Sequence, residues 1–401
     1  MKFLTMIVLI LLVLSLNAQK FEGLASTPPM GWNSWNNFAC NVDESLIRQT
    51  ADAMVSSGMR DAGYVYINID DCWQGLRDSL GFIQPDPQRF PSGIKALGDY
   101  IHSLGLKFGL YSDAGKQTCG GRPGSRGYEY QDALQYAKWG VDYLKYDWCN
   151  TDSLKAEGAY ITMRDALYAA GRPVVFSLCE WGNNNPWIWG KYVGHLWRTT
   201  GDITACFDCI EDHGSWKSWG ILQILDKQEG LRMYAGPNHW NDPDMMEVGN
   251  GMSVAEDRAH ISLWCMLAAP LIAGNDLVHM SKETTEILTN KEAIAVDQDA
   301  LGIQGFKFLT ERDLEIWVKP LSNDEWAFCF LNRGMEEKII DFTWSDYIVK
   351  DDLKGKSCDF RQTEYKIRDL WMHNDLGTSK DPFKTKIQSH DVRFLKLSPV
   401  K

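Results

Sequence analysis

Trp139-Gly-Val-Asp-Tyr-Leu-Lys-Tyr-Asp-Trp-Cys-Asn150 is the stretch from which the fold can be read. Its apolar run, Val141 to Tyr146, reads as a buried strand that delivers Asp147 at its C-terminal end. Lys145 lies two residues before Asp147, and side chains two apart on a strand share a face. An ammonium so placed is expected to lower the pKa of the carboxylate and keep it ionised, the state a nucleophile needs. A surface ion pair beside a structural cysteine, Cys149, is the competing reading of the same residues.

The neighbouring sequence repeats this unit. From Pro28 to about Gly274, short β-branched or aromatic runs end in polar residues, and amphipathic helical segments follow. The runs begin at Met30, Tyr64, Lys107, Val141, Val174, Leu196, His239 and Leu271. Helices are expected over segments such as Ser45–Ser57, Gly93–Leu104, Tyr130–Trp139, Leu154–Ala170 and Ser253–Ala268. Eight such units predict an α/β fold, a closed parallel (β/α)8 TIM barrel, whose site lies at the C-terminal ends of the strands. Asp70, Asp71, Tyr111, Asp147, Glu180, Arg198, Asp202, Asp242 and Asp244 all fall there.

After Asp299-Ala-Leu-Gly302 short alternating segments separated by turn residues take over, including 314–318, 326–331, 338–342, 347–349, 383–387 and 392–396. They predict a C-terminal antiparallel β-sandwich with no catalytic constellation of its own. The expected division is a signal peptide at 1–18, a catalytic barrel at 19–300 and the sandwich at 301–401. Residues 1–18, MKFLTMIVLILLVLSLNA, carry Lys2, an apolar run and small residues before the expected cut at Ala18–Gln19. Export to the periplasm or outside the cell follows as an expectation, and it permits disulfides among the ten cysteines. A net charge of −12 argues against nucleic acid and anionic membranes as partners.

Two carboxylates in different surroundings, Asp147 beside Lys145 and Asp202 in Arg198-Thr-Thr-Gly-Asp202, suit cleavage of a glycosidic bond. One attacks the anomeric carbon; the other protonates the leaving oxygen and then activates water. A metal hydrolase would need clustered histidines at strand ends, and His195 and His239 have no partner at metal-ligand spacing. No metal or cofactor is expected. His239 reads as a hydrogen-bonded core residue and Asp242 as a turn former. Cys206 and Cys209 form a lone CxxC, open to reading as a local bridge or as two thiols.

Six motifs in order now carry a resemblance: Thr27-Pro-Pro-Met-Gly-Trp-Asn-Ser-Trp35, Ile69-Asp-Asp-Cys-Trp73, Gly109-Leu-Tyr-Ser-Asp-Ala-Gly115, Lys145-Tyr-Asp147, Cys179-Glu-Trp181 and Asn241-Asp-Pro-Asp-Met245. Together they resemble glycoside hydrolase family 27, the α-galactosidases (melibiases) and α-N-acetylgalactosaminidases. The resemblance implies a retaining exo-α-galactosidase with Asp147 as nucleophile and Asp202 as acid/base, their carboxyls about 5–5.5 Å apart. It implies that Trp35, Asp70, Asp71, Tyr111, Lys145, Glu180, Arg198 and Asp244 bind the galactosyl unit of an α-galactoside. Glu180, in the place where a small residue would admit an N-acetyl group, implies preference for galactose; Asp70-Asp71 implies it over arabinopyranose. The same resemblance implies Cys40–Cys72 and Cys119–Cys149 bridges and leaves Cys179 a buried thiol. The alternatives are α-N-acetylgalactosaminidase, β-L-arabinopyranosidase, or a carbohydrate-binding relative without turnover. The natural aglycone and the oligomeric state are not legible in the sequence.

Overall fold

The protein is described by a computed structural model over residues 20–400, so the expected signal peptide at 1–18 lies outside the described residues. Eight parallel strands form one curled sheet: β1 (Met30–Asn33), β2 (Tyr66–Ile69), β3 (Lys107–Asp113), β4 (Tyr143–Asp147), β5 (Val175–Leu178), β6 (Leu196–Arg198), β7 (Trp240–Asp242) and β8 (Leu271–Ala273). The order runs β7-β6-β5-β4-β3-β2-β1-β8, each strand beside its chain neighbour except where β1 meets β8. Met246, just past β7, closes the ring: its N–H donates to Ile272 at 2.7 Å and its carbonyl accepts from Gly274 at 3.0 Å. This is the TIM barrel expected from the alternation.

All eight predicted runs contain a strand, displaced by up to two residues. The decisive run begins later than read, at Tyr143, so Asp147 is itself the last strand residue. Glycine in the barrel wall makes room for neighbours: a Cβ on Gly109 would fall 1.8 Å from Asn68 Oδ1. Helices start where the caps direct. The Asp43 carboxylate accepts from Leu46 N at the head of Glu44–Ser56, and Ser253 and Glu256 form a reciprocal capping box at the head of Val254–Leu267. The N-terminal segment at Leu24 and Ala25 packs against Tyr66, Tyr143, Val175, Leu196 and Trp240, forming an apolar cluster separate from the main core.

The second sheet is antiparallel, with strands β9 (Phe306–Glu311), β10 (Leu314–Pro320), β11 (Trp326–Asn332), β12 (Tyr365–Asp369), β13 (Asn374–Thr378) and β14 (Val392–Pro399) in the order β9-β10-β11-β14-β12-β13. Two antiparallel strand pairs, Lys338–Phe342 with Phe383–Ile387 and Ile348–Lys350 with Ser357–Asp359, supply the facing layer. Strand alternation sorts two cores. Ile316, Val318, Phe328, Phe330, Leu395 and Leu397 point into the sandwich, while Trp317, Ala327, Cys329, Leu331 and Phe394 join the barrel's core. These central strands are covered on both faces, which is why their sequence reads as nearly continuous apolar runs.

Polar contacts add to that seam. Arg258 pairs with Asp391 at 2.6 Å, Arg333 with Asp226 at 2.7 Å, and buried Lys319 donates to the Cys265 and Val296 carbonyls at 2.9 and 2.7 Å. Strands β9, β12 and β13 were not expected from the sequence. Asn374–Thr378 is mostly exposed, so as an edge strand it carries no apolar alternation to read.

Disulfides join Cys40 to Cys72 and Cys119 to Cys149, as the motif pattern implied, and Cys206 is bonded to Cys209. Cys179 is a buried free thiol.

Candidate active site

The barrel's C-terminal end holds a cavity of about 400 Å³ lined by Trp35, Asp70, Asp71, Tyr111, Lys145, Asp147, Arg198, Asp202 and Asp244. These are nine of the ten catalytic and sugar-contacting residues expected from the sequence. They come from β1, β2, β3, β4, β6 and β7 and the segments just beyond them, so each is delivered at the C-terminal end of a parallel strand.

Asp147 is 6 % exposed and is held from two sides: the Tyr111 hydroxyl donates to Oδ2 at 3.0 Å and the Trp148 amide to Oδ1 at 2.9 Å. The Cys119 sulfur lies 3.5 Å from the same Oδ2, so the Cys119–Cys149 bridge forms the floor beside this carboxylate. The expected effect of Lys145 is corrected here. Its ammonium pairs with Asp70 Oδ2 at 2.9 Å rather than with Asp147. Burial pushes the Asp147 carboxyl up; Lys145 opposes that, while Asp202 and Asp70 add to it. The shared strand face brings the two groups into one cavity, but desolvation outweighs their attraction.

Asp70 is further fixed by Asn33 Nδ2 at 2.7 Å. Asp71 accepts from Gly120 N at 2.7 Å, tying the loop after β3 to the loop after β2, and burial pushes its carboxyl up. Both acids line the cavity, where carboxylate oxygens, each with more than one lone pair, are suited to accept from hydroxyls. Arg198 clasps two carboxylates at once, Asp202 Oδ1 at 3.0 Å and Asp244 Oδ2 at 2.7 Å. The surroundings of the two candidate reacting acids differ as glycoside cleavage requires: the Asp202 side chain is 41 % exposed, that of Asp147 almost wholly enclosed.

Glu180 is the residue the structure does not bring to the cavity. It is fully buried, and its Oε2 accepts from both the amide and the side-chain nitrogen of Asn184 at 2.6 Å. Burial pushes its pKa up to about 7. Trp181 lines the cavity instead. The backbone at Trp181 is left-handed (φ 57°), and at Gly182, also left-handed (φ 75°), a Cβ would lie 2.3 Å from the Thr199 carbonyl. The strand ends at Leu178, and the turn at Trp181 and Gly182 sets which of the residues beyond it faces the cavity.

Other lining residues passed unnoticed in the sequence. Glu247 accepts from Asn36 Nδ2 at 2.7 Å and is held by Asn250 as well. Glu211, His213 and Trp216 enter from a hairpin, Ile210–Asp212 paired with Lys217–Trp219. Asp113, the pairing partner of Asp147 across β3 and β4, lies behind the cavity rather than on its wall; it is buried and accepts from Gly115 N and Cys149 N, and burial and the nearby Asp147 push its carboxyl up. A signal existed for Asp113, which stands inside the Gly109–Gly115 motif; none existed for the hairpin, whose residues reach the site only by folding back. His239, with Nδ1 near the Pro237 carbonyl at 2.8 Å, does not line the cavity, and neither does Asp242.

The buried carboxyls have a consequence for stability. Burial raises Glu180, Glu247 and Asp257 to about 7 and Asp297 to about 8. A carboxyl whose folded-state pKa is raised favours the fold while protonated in both states, and that contribution is lost as pH climbs through the folded value. The melting temperature is therefore expected to fall, by at least roughly 5 °C, between about pH 5 and about pH 8.5. Scanning calorimetry across that range checks it; a flat or rising profile would show these acids ionised without cost.

Two family models match the chain: "Alpha galactosidase A" over residues 27–299 and "Alpha galactosidase C-terminal beta sandwich domain" over residues 311–397. The chain is 59 % identical to the alpha-galactosidase A of Cellvibrio japonicus over 383 residues, covering 96 % of this chain and 95 % of that one. Among solved structures it resembles alpha-galactosidase I from Mortierella vinacea (TM-score 0.86, 38 % identity, 94 % of this chain and 98 % of that one). It also resembles the Saccharomyces cerevisiae alpha-galactosidase solved with raffinose (TM-score 0.88, 30 % identity, 96 % of this chain and 100 % of that one).

Proposed function

The chain belongs to the α-galactosidase A family of glycoside hydrolases, and from that premise we propose that its cavity removes terminal α-D-galactosyl residues by a two-carboxylate double displacement. The observation that carries the roles is the pair of acids, one sequestered and one open to solvent, on a single cavity otherwise built to accept hydroxyl hydrogen bonds. Asp147 attacks the anomeric carbon. Tyr111 and the Trp148 amide aim its two oxygens, and Lys145, two residues earlier on the strand, supplies the positive charge that favours its ionised form. Asp202 gives its proton to the departing oxygen. Arg198 keeps the carboxyl in place. In the second half Asp202 takes a proton from water, and the water opens the galactosyl ester on Asp147, so the configuration is retained.

Asp70 and Asp71, adjacent acceptors on the wall, are assigned to the hydroxyls that set galactose apart from other hexoses, Trp35 to the apolar ring face, and Asp244 with Arg198 to the remaining hydroxyls. Trp181 takes over the wall given to Glu180 in the sequence reading, and its bulk leaves little room for an acetamido group. Aryl glycosides test the choice. The α-galactoside is expected to exceed the α-N-acetylgalactosaminide and the β-L-arabinopyranoside in kcat/KM by at least ~100-fold, the discrimination available to a site with unpaired buried acceptors. A preference for either rival would overturn it.

No helix among the described residues is long and apolar enough to cross a membrane. Export to the periplasm or beyond is our reading of residues 1–18, and three disulfides accord with it. We divide the chain into 19–300 and 301–401, supported by a last barrel helix that ends at Asp297 and a sandwich strand that begins at Phe306.

A further inference from the structure

Asp147 and Asp202 are held in different ways. Asp147 ends a strand of the barrel wall, so the sheet itself sets its direction. Asp202 lies on the loop beyond β6, partly open to solvent, with Arg198 at 3.0 Å from its carboxylate. Its backbone is fixed only when the chain comes back past it. Trp219 N donates to the Asp202 carbonyl at 2.8 Å, and Thr204 N donates to the Trp219 carbonyl at 3.0 Å. The place of the acid/base residue therefore depends on how the excursion between these contacts is anchored.

The anchor is Phe207. It is buried, and it stands between Cys206 and Cys209, which are bonded to each other. The amides of Gly220, Ile221 and Leu222 donate to the Cys209, Cys206 and Phe207 carbonyls at 2.8, 2.9 and 2.9 Å, binding the outgoing leg to the returning one. The Phe207 ring stacks on the imidazole of His390, with centroids 4.6 Å apart and planes 25° from parallel. His390 belongs to the sandwich, in the turn before β14, where its backbone is left-handed (φ 57°). That turn is itself clamped to the barrel. His390 Nδ1 lies 2.8 Å from Glu256 Oε1, and Asp391 pairs with Arg258 at 2.6 Å. Glu256 is the acid of the capping box on Val254–Leu267, so the imidazole is pinned to the head of a barrel helix.

We infer that His390 is a positioning residue for the reaction: through its stack on Phe207 the sandwich domain sets the place of the Asp202 carboxyl. The inference rests on the α-galactosidase reading above, with Asp202 as its acid/base, and it gives the C-terminal domain a part in proton transfer. A proton donor must lie within hydrogen-bond reach of the leaving oxygen, and a displacement of about 1 Å can cost on the order of 10²-fold. Asp147, fixed by the barrel wall, does not share this dependence. Loosening the stack should weaken protonation of the leaving group and spare nucleophilic attack.

The test measures kcat/KM of the full chain, which reports the steps up to departure of the leaving group, on phenyl and dinitrophenyl α-galactosides. Both leaving groups are single rings, but phenol departs with a proton and dinitrophenolate departs unaided. His390→Asn removes the imidazole with a residue that tolerates a left-handed backbone, and Phe207→Ala removes the ring it stacks on. Each is expected to lower the phenyl to dinitrophenyl ratio about tenfold, with the dinitrophenyl value staying within about twofold of wild type. His390→Phe, which keeps a ring against Phe207, should retain most of the ratio. Turnover of the dinitrophenyl substrate reports that each variant is folded. An unchanged ratio in both variants, equal losses on both substrates in His390→Asn, or a His390→Phe as impaired as His390→Asn overturns the inference and leaves the α-galactosidase reading standing. A wild type inert on both substrates overturns that reading, and this inference with it.

Discussion

Asp147→Asn is expected to turn over an aryl α-galactoside at least ~10⁴-fold more slowly than the parent, with an unchanged fold by circular dichroism, because loss of a covalent nucleophile removes the whole two-step route. The site gives this carboxylate no substitute. Its immediate carboxyl neighbour, Asp113, is turned into the hydrogen bonds of the loops after β3 and β4 and is pushed towards its neutral form. Asp147→Ala leaves a void next to the Tyr111 hydroxyl, and small anions can enter it. Azide should then restore part of the rate and yield β-galactosyl azide, the product of a single inversion. Formation of α-galactosyl azide instead would transfer the nucleophile's role elsewhere, and wild-type turnover in the asparagine variant would end the proposed mechanism.

The second large effect is selective. Asp202→Ala is expected to lose on the order of 10³-fold or more on melibiose, whose leaving oxygen must be protonated, and far less on a dinitrophenyl α-galactoside, whose leaving group departs unaided. Azide should here give the α-product, having attacked the galactosyl ester on Asp147 from the opened side. An equal loss on both substrates would show Asp202 to be a positioning residue. Arg198 joins it to Asp244, so removing one carboxylate frees a buried guanidinium to shift, and the equal-loss outcome would report that shift.

The barrel could be read because its signal is local and repeated. Each strand of the wall is a short apolar run that must end where the chain turns to its helix, and the polar residue at that end is where a parallel barrel exposes side chains. Asp70, Asp71, Tyr111, Asp147 and Arg198 were legible for that reason, and Asp202 because it follows Arg198 closely. That Trp181 rather than Glu180 lines the cavity could not be read, because positive φ at a tryptophan has no signature in sequence. The edge strand Asn374–Thr378 was missed because exposed strands have no buried face to impose a period.

Sequence alone determined the barrel-plus-sandwich architecture, from period and order, and the motif resemblance implied the Cys40–Cys72 and Cys119–Cys149 bonds that the structure contains. Tertiary structure decided the rest. It assigned Lys145 to Asp70 and let burial, not attraction, dominate at Asp147; it exchanged Glu180 for Trp181; and it folded the Cys206–Cys209 hairpin over the cavity mouth. The physical reason is common to all three. Desolvation and contact depend on what surrounds a side chain in every direction, and a one-dimensional pattern specifies only which way it leaves the backbone.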